Sequence, residues 1–303
     1  MNSENSELPN SPNPFINVAM RKLIPFLATG LLGIALTPSF VHAGEAEPLR
    51  VLLITGGCCH DYTKQKDILK KGIEARAHVV VDQVHTEIPQ GASPTKPPLP
   101  IYGNPDYAKG YDVVIHDECA ADINDPATIK GVLAPHSAGI PGVNLHCAMH
   151  CYRLGNPSEP ATAGSERAMW FDYLGLQSSG HGPQLPITIS FTEKNHAINQ
   201  GLADWTTINE EHYNNIQIFP TATPLAHGRQ TTKNKDGTSK ENDFVVAWVN
   251  DYKGTRVFST TIGHNNATVE DARYLDLVTR GLLWACGKLD DKGNIKPGYG
   301  PKR

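Results

Sequence analysis

Arg50-Val51-Leu52-Leu53-Ile54-Thr55-Gly56-Gly57-Cys58-Cys59-His60-Asp61 decides the fold. Val51 to Ile54 is an unbroken apolar run that closes on two glycines. A strand buried on both faces reads this way, and such strands belong to parallel sheets covered by helices. Outward from it, Thr63 to Ala77 has helical spacing with Ile68, Leu69 and Ile73 on one side, and His78 to Val84 is a second β-branched run. Thr86 to Gly110 is rich in Pro and Gly and reads as a long loop, of the kind that is often functional or mobile. Tyr111 to Ile115 is a third buried strand, Asp125-Pro126 opens a helix to about Ala138, and Gly139 to Leu145 is a fourth strand. This alternation predicts an α/β fold: a mostly parallel open sheet flanked by helices, flavodoxin-like, with right-handed crossovers.

The second half reads differently. Leu185 to Phe191 is strand-like, and Asp243–Val249 pairs with Thr255–Ile262 as an added β-hairpin across Asn250–Gly254. Thr268 is placed to cap a last helix, with Asp271 three residues on and Leu275, Val278 and Leu282 as its apolar stripe. Residues 290–303 are polar with Pro and Gly and are expected to form a flexible tail.

Of the 303 residues, 1–19 read as a disordered extension or a mis-chosen start. Residues 20–43 read as an export signal: Met20, the basic pair Arg21-Lys22, an apolar stretch from Leu23 to Leu36, and Val41-His42-Ala43 at the cleavage point. That stretch is shorter than the about 20 residues a membrane span needs. One domain over 44–289 is expected, exported to the periplasm or beyond the cell. The net charge of −4 is unchanged by removal of the signal region, since Glu4 and Glu7 balance Arg21 and Lys22. No basic stripe marks a nucleic-acid partner. Six cysteines (58, 59, 119, 147, 151 and 286) contain no CxxC pair, so a zinc ribbon is not expected.

Ligands of open α/β sheets bind beyond the carboxyl ends of the strands. Those ends carry Cys58-Cys59-His60-Asp61, His116-Asp117-Glu118-Cys119 and His146-Cys147. His146 falls where a buried strand turns into a helix, the position of a nucleophile elbow. At a helix N-terminus the neutral imidazole is favoured, which suits a ligand, a base or a hydrogen-bond donor. His150 lies four residues on and is either a second ligand or a packed residue. Glu210-Glu211-His212-Tyr213-Asn214-Asn215 and Gly263-His264-Asn265-Asn266 are two further polar patches.

These pieces, in this order, resemble the ThuA-like (trehalose utilisation) proteins. The residues that carry the resemblance are Gly56-Gly57 with His60; Tyr111-Asp112-Val113-Val114; Leu145-His146-Cys147-Ala148; Gly180-His181-Gly182-Pro183; His196 to Leu202; Glu210-Glu211-His212-Tyr213; Trp248; Arg256 to His264; and Arg280 to Ala285. The resemblance spans about Arg50 to Leu289 and implies a fold like that of class I glutamine amidotransferases. Those enzymes need a cysteine at the elbow, whereas His146 stands there and Cys147 follows, which argues against amidotransferase chemistry. The family's Asp-Glu-Leu-Tyr is Glu210-Glu211-His212-Tyr213 here, its Gly before Leu-His is Asn144, and its Pro after the downstream His is Ala197.

The resemblance implies a role in disaccharide or glycoside catabolism, with 3-keto sugars as one substrate class. Enolisation beside a ketone needs a base and an oxyanion stabiliser. His146, Glu211 and His264 are the expected catalytic residues, with His60, Asp117, His181, Tyr213 and Asn265 in binding. His60, His146, His264 and Glu211 are also ligand types for zinc or a similar divalent ion. Two other readings compete. One is a non-catalytic carbohydrate-binding or accessory protein using Trp170, Trp205, Trp248 and Tyr213 as stacking faces; the other is a degenerate amidotransferase-like scaffold.

Overall fold

The computed structural model describes residues 46–302, so the expected extension and export signal lie outside the described residues. In chain order the elements are β1 (Leu49–Gly57), α1 (Tyr62–Glu74), β2 (Val79–Thr86), β3 (Val113–Cys119), α2 (Pro126–Ser137), β4 (Gly142–Leu145), a 3₁₀ turn (His146–His150) and α3 (Met169–Leu174). Then come β5 (Leu176–Phe191), β6 (Trp205–Ile218), β7 (Ala222–Lys233), β8 (Ser239–Tyr252), β9 (Thr255–Thr260), α4 (Asn266–Val269) and α5 (Ala272–Ala285).

The strands form one sheet in the order β2-β1-β3-β4-β9-β8-β7-β5-β6. Strands β2, β1, β3, β4 and β9 are mutually parallel. This is the 2-1-3-4-5 order of flavodoxin-like sheets. The remaining strands join through antiparallel pairs. The fold is therefore α/β as expected, and the added hairpin is part of a larger antiparallel wing.

Alternation along β1 shows why its run is continuous. Val51 and Leu53 enter a core with Leu69 and Ile73 of α1 and Leu275 and Leu282 of α5. Leu52 and Ile54 enter a second core with Ile129, Val132 and Leu133 of α2 and Trp170 of α3. Each such side chain contributes about 1.5–3 kcal/mol on burial. The helix starts are set by aspartates: Asp61 accepts from Lys64 N–H at 3.3 Å and Asp125 from Thr128 N–H at 2.8 Å. The cap of α5 is Asp271, accepting from Arg273 N–H at 2.9 Å, and not Thr268, which is buried within α4.

Between β2 and β3 the long loop is anchored by buried Leu99, Ile101 and Ala108, and by the Tyr107 hydroxyl donating to Val132 O at 2.9 Å. The stretch after Leu289, expected as a flexible tail, makes defined contacts. Leu289 bridges to Ile295, and His78 N–H donates to Tyr299 O at 3.0 Å.

Candidate active site

Three strand ends meet. His60 follows β1, His146 follows β4 and His264 follows β9, and the last two of these strands are sheet neighbours. The ring centroids of His60 lie 4.7 Å from those of both His146 and His264, and His146 to His264 is 5.5 Å. One ring nitrogen from each lies within 4.8 Å of one from every other. Glu211 of β6 reaches in from the antiparallel wing. Its carboxylate is 3.4 Å from His146 Nε2, 3.3 Å from His264 Nδ1 and 3.5 Å from His181 Nε2.

The sequence sets each of these positions. His146 sits at φ 42°, a strained value for a side chain with a Cβ and the mark of an elbow. It opens a 3₁₀ turn and not an α-helix, so His150 does not join it. His150 stacks on Tyr213 at 4.2 Å and bonds Ser178 Oγ at 3.0 Å, a packed residue. His146 Nδ1 lies 2.6 Å from Thr261 O, so that nitrogen carries the proton and donates it. The lone pair of Nε2 is thereby turned to the cluster, where the atom is buried and has no hydrogen-bond partner. His264 Nδ1 is likewise buried without one.

Charge follows the same geometry. Burial, then the two neighbouring imidazoles, hold His60 down at a pKa of about 3, so its ring is neutral near pH 7. Burial alone would raise Glu211, but contacts from His146 and His264 hold it well below the carboxylate range. The Glu211 contact raises His264. Cys147, one place after the elbow, is buried, and its thiol is pushed well up by its hydrogen bond with Cys119 and by burial. It is no nucleophile at neutral pH.

Four residues outside the expected set build the site. Glu210 is fully buried and accepts from the backbone N–H groups of Gly263 at 3.4 Å, His264 at 2.8 Å and Asn265 at 3.0 Å, which fixes the His264 turn. Gln184 Nε2 lies 2.8 Å from His264 Nε2, Gln65 donates to His264 O at 3.0 Å, and Thr261 holds His146. Only the Glu-Glu pair at 210–211 signalled any of them in sequence.

Of the expected binding residues, His181 stands at the edge of the cluster, its side chain 42% exposed. Asn265 lines a cleft of about 480 Å³ with Cys59, His60, Asp61, His264, Asn266 and Ala267. Tyr213 lies beneath, its ring 4.9 Å from that of His146. Asp117 lies inside β3 with its side chain buried. β3 runs on through Cys119, so His116, Asp117 and Glu118 are interior strand residues and not a rim. The charged and titratable neighbours of Asp117 are Glu118, Tyr62 and Tyr274, and burial raises its carboxyl. Trp170, Trp205, Trp248 and Tyr213 are all buried, so none offers an open stacking face. His212 packs against Phe244 at 5.1 Å.

Among known folds, two crystal structures of ThuA-like proteins are similar to this chain. One, from Parabacteroides merdae, has 20% identity and a TM-score of 0.56 over 84% of this chain and 98% of that one. The other, from Bacteroides uniformis, has 16% identity and a TM-score of 0.53 over 82% and 95%. At these identities the likeness concerns the fold. No curated relative matches the chain in sequence. The family model described as trehalose utilisation matches residues 50–285, nearly all of the folded chain, and the protein belongs to that family, ThuA.

Proposed function

We propose that the protein is a metal-dependent enzyme acting on an oxidised sugar or glycoside, a 3-keto-glycoside being the substrate class that fits best. Family membership supports a role related to trehalose utilisation in general. The observation that carries the finer reading is the spacing of the donor atoms. Glu211 stands 3.3 and 3.4 Å from His264 Nδ1 and His146 Nε2, longer than an ordinary hydrogen bond. Ligands 2.0–2.1 Å from a tetrahedral zinc lie about 3.3 Å apart. His60, His146 and His264, each with a ring nitrogen within 4.8 Å of the others, and Glu211 beside two of them are the donor set for a zinc-like divalent ion, with Thr261 O orienting the His146 ring.

Such an ion supplies Lewis-acid polarisation of a carbonyl oxygen. The cleft between His60 and His264 admits the substrate. His181 carries a proton on Nδ1, donated to Gly182 O at 2.9 Å, which leaves Nε2, 3.5 Å from the Glu211 carboxylate, to take up and return a proton at the reacting carbon. Amidotransferase chemistry is disfavoured, because the elbow side chain is His146 and the Cys147 thiol is buried.

The test is turnover of a 3-keto-glycoside by protein stripped with a chelator and reloaded with Zn²⁺. Activity is expected only in the reloaded wild type and not in His146→Ala. Turnover indifferent to both chelator and substitution contradicts the reading, and saturable sugar binding without turnover favours an accessory role. We also propose export to the periplasm or beyond, with residues 20–43 removed. N-terminal sequencing from the native host is expected to begin at Gly44; an intact Met20 start would oppose this.

A further inference from the structure

Beside the histidines lies a cluster of sulfur that the proposed reaction does not use. Gly57, at φ 105°, ends β1 so close to β3 that a Cβ there would collide with the Cys119 carbonyl. This contact lays Cys58 Sγ 3.4 Å from Cys119 Sγ. Cys58 and Cys59 are joined to each other as a vicinal disulfide. The three sulfurs all lie within 4.8 Å of one another. Cys147 and Tyr62 pack against Cys119 and Cys58 and close the cluster. Cys151 is committed elsewhere, with Sγ 3.1 Å from Glu118 O and 3.0 Å from Ala120 N.

We propose that Cys58, Cys59 and Cys119 form a second, redox-gated ion site, which takes a thiophilic ion such as Cu(I) once the Cys58–Cys59 bond is reduced. Three thiolates around an ion at about 2.3 Å stand about 4 Å from one another. One edge of the triangle is the Cys58–Cys59 bond itself, which opens on reduction; the Cys58–Cys119 edge is 3.4 Å and none exceeds 4.8 Å, so the opened sulfurs need move little to reach that scale. Soft sulfur ligands select Cu(I), whereas the imidazole and carboxylate set next door suits zinc, so the two sites are chemically separate. The gate balances as thiol–disulfide exchange. A dithiol reductant gives up two electrons and becomes its own disulfide, and Cys58 and Cys59 become thiols. On ligation each coordinating thiol releases its proton to solvent. Access is open, because Cys59 is exposed and lines the same cleft as His60.

The test uses the full folded chain. Protein reduced anaerobically with dithiothreitol and desalted is titrated with Cu(I) as its acetonitrile complex, with thiolate-to-copper ultraviolet absorption and bound copper as readouts. One Cu(I) per reduced chain with that absorption is expected, and none in protein whose disulfide is intact. Cys119→Ser is expected to weaken binding at least about tenfold. His146→Ala is expected to leave the thiolate absorption unchanged, which separates this site from the histidine site. Equal copper uptake by oxidised and reduced wild type, or no thiolate absorption in reduced protein, would overturn the proposal without needing any variant. Undiminished affinity in folded Cys119→Ser would overturn the assignment of that ligand.

Discussion

Among the histidine–carboxylate groups on the sheet, the two with a buried carboxylate differ in how far their bonding is satisfied. In the interior, His116 Nδ1 lies 2.9 Å from Glu118 Oε1, and its Nε2 lies 3.0 Å from His136 Nε2. His136 Nδ1 is 2.8 Å from Ile140 O, and the Tyr152 hydroxyl donates to Glu118 at 2.7 Å. Every ring nitrogen there has a partner at ordinary distance. At the rim, the Glu211 contacts run from 3.3 to 3.5 Å, and His146 Nε2 and His264 Nδ1 have no hydrogen bond. Burying a polar atom without a partner costs about 1–3 kcal/mol. The interior group has settled that cost at every ring nitrogen and at Glu118 Oε1, leaving only Glu118 Oε2 without a partner, and can be structural. The rim group has not, and on the proposed reading an ion or substrate in its open cleft would settle it.

The comparison breaks most decisively at His146. His146→Ala is expected to lower zinc affinity and turnover by about a hundredfold or more, with the fold retained. Calorimetric titration and circular dichroism read the two, and equal zinc binding in the variant would place the ion elsewhere. The opposite outcome is expected inside: His116→Ala takes one buried hydrogen bond each from Glu118 and His136, which keep their bonds to Tyr152 and Ile140 O, and lowers stability by about 3 kcal/mol. Its zinc stoichiometry stays that of the wild type, as urea unfolding and titration of the still-folded protein would check. A stable variant with lost zinc binding would erase the distinction between the groups.

Protons sharpen the contrast. Metal ligands must be unprotonated, so binding competes with protonation. The Glu211 contact raises His264 above its ordinary value near 6.5, so the proton held there opposes zinc already above that pH. Zinc affinity is therefore expected to fall steadily from pH 8 to pH 6, and an affinity independent of pH over that range would contradict His264 as a ligand. Smaller effects belong to the residues around the ligands. Glu210→Gln loosens the three N–H bonds that hold the His264 turn, and about a tenfold loss of zinc affinity is expected. His181→Gln is expected to lower kcat while zinc affinity stays within about twofold, since it touches the proton path and not the ion.

The two halves of the sheet were unequally legible. β1 and β3 read directly because strands buried on both faces leave unbroken apolar runs, and β4 read as a short buried stretch interrupted only by Asn144. The wing did not: β5 carries Pro183 and Pro186 and several bulges against β6, and β6 is crowded with Asn, Glu and His. A proline within a run argues against a strand unless it lies at an edge or a bulge. The site divides in the same way. His60 and His146 follow readable strands, and His264 follows a readable hairpin. Gln184 acts across strands of the wing and Thr261 through its backbone, so their side chains carry no sign of the role, and Glu210 was marked only by its pairing with Glu211. His116 and Glu118 misled for a physical reason: by bonding each other in the core they let β3 continue past its apolar run.

The central claim is that the unsatisfied rim holds a divalent ion, and anomalous diffraction tests it most directly. Crystals of the chain grown with saturating zinc are measured on both sides of the zinc absorption edge. One anomalous peak is expected about 2.0–2.2 Å from His60, His146, His264 and Glu211, with His146 bound through Nε2. Density showing these side chains closed on one another at ordinary hydrogen-bond distances, with no peak between them, would contradict it.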